Sequence, residues 1–159
     1  LAGSLKYRLG VGGFLNNKKV NIQDYQHFNG NEAVAASASE YVNSFQLVKY
    51  YAYSTTEQFY GIAHLEHHFN GLLTNKIPLF KRLGWFLVAG TNTFYVDRQS
   101  NYIEIFAGLE NIFKVLRVDV VASFENGKHN RTAIRIGTGG LLGNGVEVNR
   151  RKGSASVNL

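Results

Sequence analysis

The sequence predicts an all-β fold of antiparallel up-and-down strands, read as a transmembrane β-barrel or the C-terminal part of one; alternation alone also admits a water-soluble sandwich with its polar face outward. Three observations predict it. Six segments of about ten residues alternate apolar side chains with charged or small ones. Turns and polar loops separate these segments in order, with no persistent helical period. Aromatic residues (Tyr60, Phe69, Trp85, Phe94, Tyr95, Tyr102 and Phe124) gather near the segment ends, where interfacial girdles belong.

The first strand is Leu5 to Leu15. Leu5, Tyr7, Leu9 and Val11 share one face, opposite Lys6, Arg8, Gly10 and Gly12. A long connection follows over residues 16–58, opening with the basic turn Asn16-Asn17-Lys18-Lys19. A connection of that length is usually functional or folded on itself. Within it, Ala33 to Ala38 is small-residue-rich and reads as a short helix. Phe45 to Tyr53 reads as either a further strand or a packed loop.

The rest reads as a meander. Tyr60 to Phe69 is a strand. Asn70 to Gly84 is a turn region holding the single proline, Pro78. Trp85 to Val96 is the next strand, and Asp97 to Asn101 a polar loop. Tyr102 to Leu109 and Val115 to Phe124 form a hairpin with its turn at Glu110-Asn111. In the first arm, Ile103, Ile105, Ala107 and Leu109 oppose Tyr102, Glu104, Phe106 and Gly108. In the second, Leu116, Val118 and Val120 oppose Arg117, Asp119 and Val121. Glu125 to Asn130 is a loop, and Arg131 to Thr138 the last clear strand. Residues 1–140 thus form the barrel portion, and 141–159 a tail or short terminal strand.

Composition narrows the function classes. With no Cys, disulfides and thiol catalysis are excluded. The absence of Met predicts that the chain begins inside a longer protein. No apolar run reaches the length of a spanning helix, but barrel strands need only about nine to eleven residues. Lys plus Arg number 17 against 11 for Asp plus Glu, a net charge of +6. These cations are scattered through the strands, so no nucleic-acid partner is expected.

The motif runs carry a more specific likeness. Asp24-Tyr25-Gln26-His27-Phe28-Asn29-Gly30-Asn31, Ala63-His64-Leu65-Glu66-His67-His68-Phe69-Asn70-Gly71, Asn75-Lys76-Ile77-Pro78-Leu79 and Gly108-Leu109-Glu110-Asn111-Ile112-Phe113-Lys114 resemble the C-terminal barrel of a Bacteroidota outer-membrane family. That family joins a carboxypeptidase-regulatory-like domain to a barrel and has no settled function. Its barrel is similar to that of the BamA-like surface-antigen superfamily, which inserts or translocates proteins at the outer membrane. The resemblance covers roughly Leu5 to Thr138. It implies that residues 16–58 are a loop folded into the barrel and that Tyr60 onward supplies its last strands. It implies residence in the cell outer membrane, with lipid and other envelope proteins as partners. The superfamily loop carries a Val-Arg-Gly-Phe/Tyr type motif; the matching stretch here, His27-Phe28-Asn29-Gly30, has no Arg. Barrels of this kind usually finish on an aromatic residue, whereas this chain finishes on Leu159.

Candidate chemistry is sparse. His64, Glu66 and His68 lie two apart on one strand face, a spacing open to a divalent metal or to a hydrogen-bonded polar wall. Arg8, Glu104, Arg117, Asp119 and Arg135 face the same side, as a docking network for the loop or as charge balance on a wet wall. His27 and Phe28 are expected to pack on that wall near Glu66 and Arg117. No Gly-x-Ser-x-Gly elbow accompanies Ser44, Ser54, Ser154 or Ser156. Gly10-Val11-Gly12-Gly13 and Gly137-Thr138-Gly139-Gly140 lack a following helix and the Gly-Lys-Ser/Thr ending of a phosphate loop. The expectation is a non-catalytic protein with no cofactor, acting in envelope protein assembly, translocation or scaffolding. Two rivals remain at this point. One is a small lipid-modifying barrel enzyme with a His beside a Ser or carboxylate at the rim. The other is a soluble barrel with Ile103, Val118, Val120 and Ile134 turned inward on an apolar ligand.

Overall fold

A computed structural model describes residues 3–32, 35–36, 42–72, 74–97 and 101–138. The tail from residue 139, and most of the Ala33 to Ala38 segment, lie outside these residues. The backbone of one six-stranded antiparallel sheet comprises β1 (Ser4–Gly12), β5 (Tyr60–His68), β6 (Phe86–Val96), β7 (Asn101–Ile112), β8 (Leu116–Glu125) and β9 (Lys128–Thr138), paired in that order. Three short strands come from the long connection. β2 (Gln26–His27) pairs with β4 (Ser54–Thr55), and β3 (Ala35–Ala36) runs parallel to Ile136 and Gly137 of β9. At Ala35–Ala36 a strand therefore replaces the expected helix, because the chain meets an open sheet edge there. Among the described residues the sheet does not close into a barrel: β1 pairs only with β5. No helix there is long and apolar enough to cross a membrane.

Local sequence accounts for the boundaries. β7 and β8 are rich in Ile, Val, Phe and Tyr, which suit a pleated surface. The β7–β8 turn lies at Phe113–Val115, not at Glu110-Asn111. β7 continues through a register shift between Leu109 and Ile112, and Asn111, Phe113 and Lys114 all take positive φ. The β8–β9 connection is tighter than expected. Asn126 and Gly127 both have positive φ, as a two-residue hairpin turn demands, so β9 starts at Lys128. The Asn70 to Gly84 region holds a short helix, α1 (Pro78–Leu83). Pro78 opens it, where a missing N–H costs nothing, and left-handed Gly84 closes it. Phe45 to Tyr53 is a packed loop, tied to Asn29 and Asn31 by main-chain bonds of 2.7 and 2.8 Å on Phe45.

The burial pattern is inverted relative to a water-soluble sheet. Glu104 and Asp119 are completely buried, whereas Ile105 is 50% and Ile134 61% exposed. The alternation extends across the sheet. Leu5, Tyr7, Leu9, Val11, Leu65, Ile103 and Val120 are exposed, while His64, Glu66, Arg117 and Arg135 are buried. The cause is the long connection, which lies over the charged face and leaves the apolar face bare.

Two apolar clusters fix that cover. Phe28, Phe45 and Val48 from the connection meet Phe94, Val96 and Tyr102 of the sheet. Phe28 stacks on Phe94 with centroids 4.3 Å apart, and Phe94 stacks on Tyr102 at 5.2 Å. Each such pair is worth about 0.5–1.5 kcal/mol beyond its area. Leu47 meets Val88, Phe106 and Val121 in the second cluster. Phe94 and Tyr102, expected in an outer aromatic girdle, are therefore core residues, and Tyr60 packs against them. They share the covered phase of their strands, which their position near strand ends did not reveal.

Candidate functional site: the charged wall beneath the long connection

Three residues on alternate positions of β5, His64, Glu66 and His68, point under the cover. Register sets their neighbours across the sheet. The His68 row continues through Val88, Gly108, Asp119 and Arg135. The Glu66 row continues through Gly90, Phe106, Val121 and Ala133. Gly90 and Gly108 make the chemistry possible. A Cβ at Gly108 would strike the Asp119 carboxylate and the Val118 carbonyl, and one at Gly90 the Phe106 ring. Long charged side chains converge where those Cβ atoms are missing.

Five of these side chains form one chain of ionic contacts. His68 sits between two carboxylates, its Nδ1 2.9 Å from Glu110 and its Nε2 2.6 Å from Glu66. A ring with a carboxylate at each nitrogen donates from both, the imidazolium arrangement. The second Glu66 oxygen accepts from an Arg117 terminal nitrogen at 2.7 Å, and Arg117 Nε donates to both Asp119 oxygens at 2.8 and 2.9 Å. The Arg117 guanidinium also lies 5.6 Å from the centre of the Phe106 ring. Buried charge of this kind persists only when paired and hydrogen-bonded.

A second set of contacts grips the main chain of the cover. The Glu104 carboxylate accepts the backbone N–H groups of Gln46 and Leu47, each at 2.7 Å. Tyr102 Oη donates to it at 2.8 Å and Asn92 Nδ2 at 3.2 Å. Arg135 donates to the backbone oxygens of Asn31 and Gln46, each at 2.9 Å. Gln46 is thus held at its N–H by an anion on β7 and at its C=O by a cation on β9. Closer to the rim, Arg8 donates to the Asn43 side chain at 2.9 Å, and Arg131 pairs with Glu32. In the connection, Tyr53 packs on Phe94 and Tyr102. Burial, aided by the Glu125 carboxylate, pushes its hydroxyl up to about 12.

The placement of the expected residues is mixed. Glu66, Arg117 and Asp119 come together; Arg135 belongs to the main-chain grip. His27 and Phe28 do not pack near Glu66 and Arg117. Phe28 stacks at the Phe94 row, opposite Ile62, four residues or about 13 Å along β5 from Glu66. An apolar ring finds its partner in the aromatic cluster rather than among charges. His27 makes its ring and hydrogen-bond contacts within the connection and borders a small cavity with Arg8, Ile62 and His64 of the sheet. Its Nε2 is 3.3 Å from the Ile22 carbonyl and its ring lies edge-on to Tyr51 at 5.3 Å. It borders an open pocket of about 330 Å³ shared with Asn31, Asn43 and Tyr50.

The metal alternative at His64, Glu66 and His68 meets the same geometry. His64 Nδ1 is 3.0 Å from Asn92, and both Glu66 oxygens and both His68 nitrogens are engaged by other side chains. Among the described residues, no group of three or more His, Cys, Asp or Glu is arranged to hold a metal ion. Sequence reasoning missed the parts played by Glu110 and by the main chain of Gln46 and Leu47. A backbone contact leaves no side-chain signature. Glu104, a carboxylate set between Ile103 and Ile105 in the middle of β7, was the available signal.

A family model described as the C-terminal domain of a family of unknown function (DUF5686) matches residues 1–109. The chain belongs to this family. Within this DUF5686 domain the match ends inside β7. It includes His64, Glu66, His68 and Glu104, while Arg117, Asp119 and Arg135 follow it. No curated protein and no solved structure matches the chain.

Proposed function

We propose that this protein is a non-catalytic outer-membrane β-barrel component acting in envelope protein assembly, translocation or scaffolding. One observation carries the reading: the sheet buries its charged face and bares its apolar face. Leu5, Tyr7, Leu9 and Val11 of β1, Leu65 of β5, Tyr95 of β6 and Ile103, Ile105, Val120, Ile134 and Ile136 of β7 to β9 are all exposed on the same side of the sheet. A face of that extent marks a lipid or protein contact in a native chain. In hydrocarbon it is the favoured arrangement, with the polar side turned to the interior. Strands of nine to twelve residues suit a bilayer crossing. The edge of β1, unpaired among the described residues, would be paired in that setting, because unsatisfied backbone groups are not tolerated in lipid.

The soluble-barrel rival needs Ile103, Val120 and Ile134 on the covered side, and all three are exposed. Carbonate extraction of membranes from cells making the protein tests the proposal. Retention in the pellet, with release only by detergent, is expected. Recovery in the carbonate supernatant refutes it.

A further inference from the structure

We propose that the wall formed by Glu104, Arg135 and the two flanking apolar clusters is a peptide-binding site, occupied in this structure by the chain's own Phe45-Gln46-Leu47. Its ligand is a short polypeptide segment with two apolar side chains separated by one residue. The proposal rests on the reading of the protein as a polypeptide-handling barrel.

The argument starts from what the wall holds. Phe45 enters the aromatic cluster, 4.9 Å from the His64 ring, 5.2 Å from Phe94 and 5.8 Å from Tyr102. Leu47 enters the other cluster, against Val88, Phe106 and Val121. Between them, Glu104 accepts two successive N–H groups and Arg135 donates to the intervening C=O. Two successive N–H groups aimed at one anion define a bent main chain, the nest geometry by which backbones bind anions. The charged contacts go to atoms that every polypeptide carries. The apolar pockets set only spacing and size. A site built this way accepts other segments of the same pattern, and the resident tripeptide then acts as a tethered competitor. Tethering gives it a high effective concentration, so an incoming segment succeeds only when presented locally or when the connection is displaced.

The probe is a fluorescent peptide of residues 43–49. The receptor is the full chain folded in detergent micelles, with Phe45→Ser and Leu47→Ser to vacate both clusters. Saturable anisotropy change is expected, weakened by about tenfold or more when the peptide's Gln46 amide is N-methylated. No saturable binding, or equal binding by the N-methylated peptide, overturns the proposal. If the double variant does not fold, the unsubstituted chain is used, with a photoreactive leucine at position 47 of the peptide. Crosslinks to Val88, Phe106 or Val121 that fall on N-methylation support the site; crosslinks elsewhere, or none, overturn it. Carbonate extraction separates the two readings. A peptide-binding chain released by carbonate refutes only the membrane reading, and a retained chain that binds no peptide refutes only the site.

Discussion

Glu104→Gln tests how the cover is held. The native carboxylate is completely buried and accepts four hydrogen bonds, two of them from the amides of Gln46 and Leu47. Each oxygen accepts from one amide and one side chain, so a carboxamide that keeps the Gln46 and Asn92 bonds turns its NH₂ toward the Leu47 amide and the Tyr102 hydroxyl, which can rotate to accept. One charge-assisted bond disappears, worth about 1.5–3 kcal/mol, and one buried N–H is left facing a donor, at about 1–3 kcal/mol. Relief from no longer burying a charge offsets part of this, leaving roughly 3 kcal/mol. At tenfold per 1.4 kcal/mol, local opening of residues 44–48 rises by about a hundredfold. Amide hydrogen exchange of the folded chain reads this directly, with the β7 and β8 amides as internal references. A change under about threefold in residues 44–48 refutes the reasoning, since opening would then be controlled elsewhere.

Four further outcomes are expected. Arg117→Ala removes the cation that Glu66 and Asp119 share, leaving Glu66 to His68, and costs about 3–5 kcal/mol in denaturant unfolding; a loss below about 1 kcal/mol contradicts the paired arrangement. Gly108→Ala drives a methyl into the Asp119 carboxylate and the Val118 carbonyl, costing about 1–3 kcal/mol in the same measurement, and a neutral result rules out that close approach. Val120→Lys places a cation on the bare face: about 2–4 kcal/mol is lost if that face meets the bilayer midplane, whereas about 0.5 kcal/mol or less indicates water. Tyr53 ionises near 12, so the folded state holds that proton more tightly than the unfolded chain. Its contribution is intact below about pH 10 and fades as pH rises toward 12, and the ultraviolet titration difference against Tyr53→Phe measures it.

The sheet was legible in the sequence because period-two alternation is a property of consecutive side chains. Ile103-Glu104-Ile105 and Val118-Asp119-Val120 state their own phase. Hairpin ends were legible only where turn chemistry was read closely. Asn126-Gly127 is a strong two-residue turn signal, yet its surrounding polar residues read as a longer loop and delayed β9 by three residues. Pro78 falls in what the sequence offers as a turn region, although the same residue opens α1. The candidate site was half legible. Residues facing the cover followed from strand phase, which brought Glu66, Arg117 and Asp119 together. Pairing across the sheet depends on register and on the vacated space at Gly90 and Gly108, which no single strand specifies. The position of Phe28 depends on which row the connection reaches, a three-dimensional fact with no local code.

The six-strand antiparallel order has a consequence for compartments. Ser4 pairs with His68, and the row from His68 through Asp119 ends at Arg135, three residues before the end of β9. The sheet is therefore entered and left at one rim, while the C-terminal ends of β1, β6 and β8 and the Asn126-Gly127 turn lie at the opposite rim. Polypeptide attached before β1 and polypeptide attached after β9 emerge on the same side. In a bilayer, two reporters fused at those points would register one and the same aqueous phase, and a reporter in the Asn126-Gly127 turn the other.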